Sequence, residues 1–139
     1  MNNILEVKKL NKVYQTINGE ITALKDISFN LKDNEFLCIV GSSGCGKSTL
    51  LNILANLDNK TCGEINIKNN KQFGYMFQID ALFPWLNVLD NATLGLKIKH
   101  IATTDNINYV KELLIKYGLK DFIYKYPNEL SGGMRQRVA

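Results

Sequence analysis

At 139 residues, 45% of them apolar and 22% charged, the chain can bury one core and falls outside the disordered and fibrous classes. Its 17 basic and 13 acidic side chains leave a net +4, and the lysines are scattered, so no nucleic-acid footprint organises it. No apolar run is long enough to span a bilayer, Met1-Asn2-Asn3 lacks the regions of a secretory signal, and three cysteines without C-x-x-C spacing argue against a disulfide framework or zinc site; a cytoplasmic protein is expected.

Ile4, Leu5, Val7 and Leu10 suggest a first strand, with Tyr14 at its end. Asn18-Gly19 marks a turn, and Ile27, Phe29 and Leu31 then alternate with Ser28 and Asn30 as a half-buried strand does. Lys32-Asp33-Asn34 is a second turn, with Asn34 suited to the left-handed conformation. The unbroken apolar run Phe36-Leu37-Cys38-Ile39-Val40 reads as a strand buried on both faces, with Cys38 as a small core residue.

Gly41-Ser42-Ser43-Gly44-Cys45-Gly46-Lys47-Ser48-Thr49 follows that run and precedes the helical Leu50-Leu51-Asn52-Ile53-Leu54-Ala55-Asn56-Leu57. Strand, glycine-rich loop and helix are the context that the G-x-x-x-x-G-K-[ST] pattern of a P-loop requires. A polyphosphate needs backbone N–H groups converging on one concavity, which Gly41, Gly44 and Gly46 permit, and the helix start turns its own N–H groups and positive dipole end on the same anion. Lys47 then reaches the β- and γ-phosphates and the Ser48 hydroxyl takes a position on Mg²⁺. Cys45 sits at that helix N-terminus, where a thiol pKa tends to fall. Tyr14, upstream of the loop, fits either strand packing or stacking on an adenine ring.

Asp58-Asn59-Lys60 breaks the helical pattern, and Gly63-Glu64-Ile65-Asn66-Ile67 alternates as a strand. Phe73, Tyr75 and Phe77 share one face of a further strand that ends at Gln78. From Ile79 the character turns helical. Val110, Leu113, Leu114 and Tyr117 have helical spacing, with Thr104 or Asp105 as N-cap and Gly118 as the stop. Tyr126-Pro127 interrupts the chain, and Ser131 is placed to cap a last helix.

Leu130-Ser131-Gly132-Gly133-Met134-Arg135-Gln136-Arg137, at this distance from the P-loop, resembles the signature motif of ABC-type ATPases. The resemblance covers the chain from Tyr14 onward and implies an α/β P-loop NTPase, the ABC-type nucleotide-binding domain, in incomplete form. Residues 1–78 would be an antiparallel β subdomain plus the P-loop strand and helix, and residues 79–139 a helical subdomain. Tyr14 then resembles the family's adenine-stacking aromatic, and Gly41, Ser42, Ser43, Gly44, Cys45, Gly46, Lys47, Ser48 and Thr49 its ATP-binding loop. Gln78 resembles the Q-loop glutamine, catalytic together with Lys47 and, with Ser48, a Mg²⁺ ligand. Ser131, Gly132, Gly133 and Met134 resemble the loop that contacts ATP bound by the opposite subunit.

Met134 stands where many members carry glutamine, but Gly-Gly-Met-Arg-Gln-Arg is similar to importers of the nitrate, sulfonate and taurine group, as is Ala81-Leu82-Phe83-Pro84-Trp85-Leu86-Asn87-Val88. The resemblance implies ATP and Mg²⁺ as cofactors and ATP hydrolysis coupled to import of a small anion. Its partners would be a second nucleotide-binding domain, transmembrane permease subunits and, indirectly, a periplasmic or lipoprotein substrate-binding protein, at the inner face of the membrane. Leu82, Phe83 and Trp85 are either core of the helical part or a patch for a cytoplasmic helix of the permease. The family's Walker B Asp, catalytic Glu and switch His do not follow the signature within the 139 residues, and His100, which precedes it, reads as a loop position. The expected chain is thus an N-terminal portion of the domain, either an ATPase subunit or a nucleotide-binding remnant without activity; a soluble ABC ATPase of translation or repair would show a second P-loop or a long insertion.

Overall fold

The computed structural model describes residues 3–68 and 74–139. The chain divides into two compact units, Met1–Tyr75 and Met76–Ala139.

In the first unit β1 (Asn3–Thr16) and β2 (Gly19–Lys32) form a long antiparallel hairpin, and β3 (Cys62–Ile67) pairs antiparallel with the other edge of β1. The buried positions of β1 run Leu5, Val7, then Leu10, one residue out of step with a period of two. Lys9 absorbs the extra residue at φ 45°, where the register shifts between Val7 and Leu10. Asp26, at φ 50°, does the same on β2 between Leu24 and Ile27. The Asn11 side chain joins the two bulges, donating from Nδ2 to Lys9 O at 2.8 Å and accepting from Asp26 N at 3.0 Å on Oδ1. The sheet therefore keeps Leu5, Val7, Leu10 and Leu24 on one face, where they pack with Leu50 and Ile53 of α1 (Lys47–Leu54). Each such side chain contributes about 1.5–3 kcal/mol on burial.

Helix α1 ends through Asn56, left-handed at φ 58°, with Asn56 N donating to Ile53 O and Leu57 N to Asn52 O at 2.8 Å. Asn34 takes the expected left-handed turn at φ 60°.

Two expected strands do not form. Residues 36–40 carry no ladder, and Phe36 and Val40 are 91% and 84% exposed. A run apolar on both faces becomes a buried strand only where neighbours pair with it, and among the described residues the sheet is β2-β1-β3 alone. Cys38 is accordingly exposed and not a core residue. Residues 74–78 are not extended into a ladder either, and Phe73 lies outside the described residues. Tyr75 donates its hydroxyl to Asn52 Oδ1 at 2.6 Å.

The second unit is helical, with α2 (Val88–Ile98), α3 (Thr104–Lys116) and α4 (Gly132–Val138), and 3₁₀ turns at Lys120–Phe122 and Pro127–Glu129 lie between α3 and α4. Side-chain oxygens of Asn87, Thr103 and Ser131 accept the backbone N–H groups of Asp90, Asn106 and Met134, so each helix has an N-cap. Thr103 caps α3, not Thr104 or Asp105, because it is the last residue in the extended conformation, φ −72° and ψ 162°. Gly118 stops α3 at φ 76°. Tyr117 is exposed; Leu119, just past that stop, is fully buried in its place.

The core joins Val88, Leu114, Leu119, Ile123, Leu130 and Val138, with Leu82 packed against it. Asn91 folds the turn before α2, donating from Nδ2 to Phe83 O and Leu86 O and accepting from Phe83 N on Oδ1. Leu82 thus goes inward, while Phe83 and Trp85 remain exposed with ring centroids 5.1 Å apart. His100 lies in the turn after α2 at φ 56°. Among the described residues no helix is long and apolar enough to cross a membrane.

Candidate functional site

The glycine loop lies in the first unit and leads into α1. Gly46, left-handed at φ 94°, precedes that helix with its Cα against β2: a Cβ there would meet Ala23 O at 2.4 Å and Leu24 Cδ2 at 2.9 Å. Glycine is thus required for the loop to reach the helix start. The Lys47 ammonium donates to Gly41 O at 2.8 Å and Ser42 O at 2.7 Å, with Cys45 Sγ at 3.5 Å. It is therefore held over the loop. The Cys45 thiol covers Gly41 so closely that a Cβ at 41 would lie 2.7 Å from Sγ.

The first turn of α1, which includes Ser48 and Thr49, has no acidic residue to oppose an anion, and the first N–H groups of a helix have no intrahelical partner. The left-handed glycines, one cation and the helix start fit a polyphosphate. Ser42, Ser43 and Ser48 are exposed, so their hydroxyls are accessible to it. Among the described residues no group of three or more His, Cys, Asp or Glu side chains could hold a metal.

Tyr14 stands at the far end of β1. Its hydroxyl donates to Asp58 Oδ2 at 2.6 Å, and Lys12 Nζ lies 4.5 Å from the centre of its ring. The Lys12 ammonium, largely buried, donates to Asp58 Oδ1 at 2.7 Å and Asn59 O at 2.6 Å. These two donors, Lys12 first and Tyr14 second, hold the Asp58 carboxyl below its ordinary pKa. The tyrosine's neighbours here are therefore polar and charged.

In the second unit Ser131 caps α4, and Gly132 and Gly133 form its first turn. A Cβ on Gly133 would meet nothing within 4 Å, and one on Gly132 only Arg135 Nη2 at 3.8 Å. Arg135 donates from Nε to Asp80 Oδ2 at 2.7 Å and from Nη1 to Leu130 O at 2.8 Å, and Gln136 Nε2 donates to Gln78 O at 3.3 Å. The guanidinium lowers the Asp80 pKa. Gln78 and the signature residues Ser131 to Met134 thus belong to one unit, whereas Tyr14 and the glycine loop belong to the other.

The model of the ABC transporter family matches residues 24–139. The chain belongs to the ABC transporter family. Over 97% of its length it is 41% identical to the nitrate import ATP-binding protein NrtD of Synechocystis sp., of which the match covers 53%. Over 99% it is 41% identical to the spermidine/putrescine import ATP-binding protein PotA of Mycoplasma capricolum, covering 41% of that protein. The chain spans about half the length of the curated relatives it matches. Among solved structures it is similar to the dimeric ATP-binding cassette MJ0796 in a post-hydrolysis state bound to ADP and Pi, with a TM-score of 0.84 and 35% identity over 96% of this chain and 66% of that one. The small antiparallel sheet and helices are thus part of an ABC-type P-loop NTPase fold.

Sequence reasoning missed three members of this ABC chain's polar framework. Asp58 stood there only in the segment that breaks a helix and Lys12 only among the scattered lysines, and Asp80 was not singled out. Only Lys12 carried a signal, because it follows Leu10 by two on a strand whose inward face is buried.

Proposed function

We propose that this chain is the ATP-binding subunit of an ABC importer. Its glycine loop, residues 41 to 49, takes the phosphates of ATP, with Lys47 on the β- and γ-phosphates, Ser48 and Gln78 on Mg²⁺ and Tyr14 at the adenine. Ser131, Gly132, Gly133 and Met134 contact ATP held by a second copy, residues 1–78 serving as the β part of one domain and 79–139 as its helical part. The Lys47 ammonium over a glycine loop at a helix start carries this reading. Gly132 and Gly133 support the second half: an exposed helix glycine costs about 1 kcal/mol relative to alanine, and no neighbour among the described residues requires either.

Exposed Phe83 and Trp85 are proposed to receive a cytoplasmic helix of the permease at the inner membrane face, with a substrate-binding protein acting indirectly. The cargo proposed is a small anion of the nitrate, sulfonate or taurine type, on the strength of Gly132 to Arg137 and residues 81–88. Overall identity does not select it, since relatives named for nitrate and for polyamines are equally similar.

Calorimetric titration of the purified chain with MgATP tests the site: Lys47→Ala should remove binding, and a variant that binds like the parent overturns the assignment. Steady phosphate release is not expected from the 139 residues alone, because no Walker B Asp or catalytic Glu follows the signature within them. Absence of a general base costs a factor of about 10²–10⁴. Turnover by the monodisperse chain, abolished by Lys47→Ala, would show that this chain supplies those groups itself.

A further inference from the structure

We infer that Asp58 and Lys12 are a positioning pair that holds Tyr14 as a one-sided stacking platform for a purine base, a deepening of the ATP-binding reading on which it rests. Lys12 and Tyr14 are two apart on β1 and so share a face of the strand. Lys12 follows the fully buried Leu10 on that face, which places its ammonium where little water reaches it. Such a cation needs a partner, and Asp58 provides one at 2.7 Å on Oδ1. The second carboxylate oxygen accepts the Tyr14 hydroxyl at 2.6 Å, and the same ammonium lies 4.5 Å from the ring centre.

The ring is thereby held at its hydroxyl and on one face, yet Tyr14 remains 37% exposed. A flat ligand must use the face opposite Lys12. Two consequences follow. A ring ordered in advance loses less freedom when a base stacks on it. An ammonium behind the ring draws on its π electrons, which favours an electron-rich partner such as a purine on the other side. Asp58 follows the end of α1, whose first residue is Lys47, so base platform and phosphate loop are tied to opposite ends of one helix in one unit.

The test compares the affinities of MgATP and of magnesium tripolyphosphate, which has no base, for the full chain. Tyr14→Phe removes only the hydroxyl, and Asp58→Glu keeps the charge that Lys12 needs but displaces the carboxylate. Each should weaken ATP about 3–10-fold, the worth of one hydrogen bond, and leave tripolyphosphate within about twofold. The double variant should fall no further than either single one, because one bond is shared. Parental ATP affinity in both single variants overturns the inference. So does an equal fall for tripolyphosphate, which would assign Asp58 to the folding of α1. If the unmodified chain binds neither ligand, the ATP-binding reading itself fails, and the platform with it. A ligand-free measurement separates the two: in a carbon-13 titration of the Asp58 carboxyl, Tyr14→Phe should raise the midpoint, and an unchanged midpoint refutes the positioning pair whatever the chain binds.

Discussion

Arg135 reaches 2.7 Å from Nε to Asp80 Oδ2 and 2.8 Å from Nη1 to Leu130 O, so one side chain of α4 holds both the segment after Gln78 and the residue before the Ser131 cap. With Gln136 donating to Gln78 O, the backbone at Gln78 and the start of α4 are braced together within the second unit. Both bonds to the guanidinium are charge-assisted, the stronger class of hydrogen bond.

This ion pair gives a pH dependence whose sign is fixed. Asp80 has a folded-state pKa below the ordinary value of 3.8, so its contribution is present above that value and is lost as the pH falls through the lower folded one. Asp58, lowered chiefly by Lys12, and Glu129, lowered chiefly by the Tyr126 N–H and then by Lys125, add losses in the same direction. Denaturant midpoints followed by circular dichroism should fall as the pH drops below about 4, and less steeply in Asp80→Asn. An acid fall of the same size in that variant would remove Asp80 from the account.

Gly46 and Gly133 should respond to alanine in opposite ways. At Gly46 the new Cβ meets Ala23 O at 2.4 Å in a left-handed residue, so Gly46→Ala should lose roughly 2 kcal/mol or more. At Gly133 the space is open, and Gly133→Ala should leave stability unchanged or raise it by up to about 1 kcal/mol. Under the proposed function the same substitution obstructs the approach of a second copy's nucleotide. Equilibrium unfolding compares the two variants, and a Gly133→Ala variant as unstable as Gly46→Ala would mean that an internal contact demands that glycine.

Cys38, Cys45 and Cys62 are all exposed, so a thiol reagent should reach all three. Only Cys45 lies against Gly41 and Lys47 in the loop. MgATP should therefore slow labelling at Cys45 and leave Cys62 unaffected, as read by peptide mass spectrometry. Equal rates at Cys45 with and without nucleotide would place the phosphates elsewhere.

Trp85 is 69% exposed and touches Phe83. Trp85→Ala should alter the unfolding free energy by no more than about 0.5 kcal/mol, as surface substitutions usually do. If it also weakens association with permease subunits, the partner patch is supported. A loss above about 2 kcal/mol would show instead that the indole is packed.

Short-range chemistry was legible in the residues. Ser131 needed only its own oxygen and the N–H three residues on to become a cap, Gly118 and Asn34 only their tolerance of a left-handed backbone, and the loop from Gly41 to Thr49 only its glycines, lysine and helix start. These are local energies, settled within a few positions of chain. The strand expected at residues 36–40 was not of that kind, because a strand is a pairing between segments, and apolar composition does not say which neighbour pairs with it. The inward turn of Leu10 depended on bulges at Lys9 and Asp26 that only a facing strand and the Asn11 amide stabilise.

The sequence by itself determined the family, the glycine loop that leads into a helix start, and the Ser131 cap, since each motif is written in residues a few places apart. Tertiary structure decided which charges meet. Lys12 and Asp58 are 46 residues apart and Asp80 and Arg135 are 55 apart, and what brings each pair to 2.7 Å is the folding of apolar neighbours around them. Burial removes competing water and makes the pairing count, and no periodicity along the chain records it.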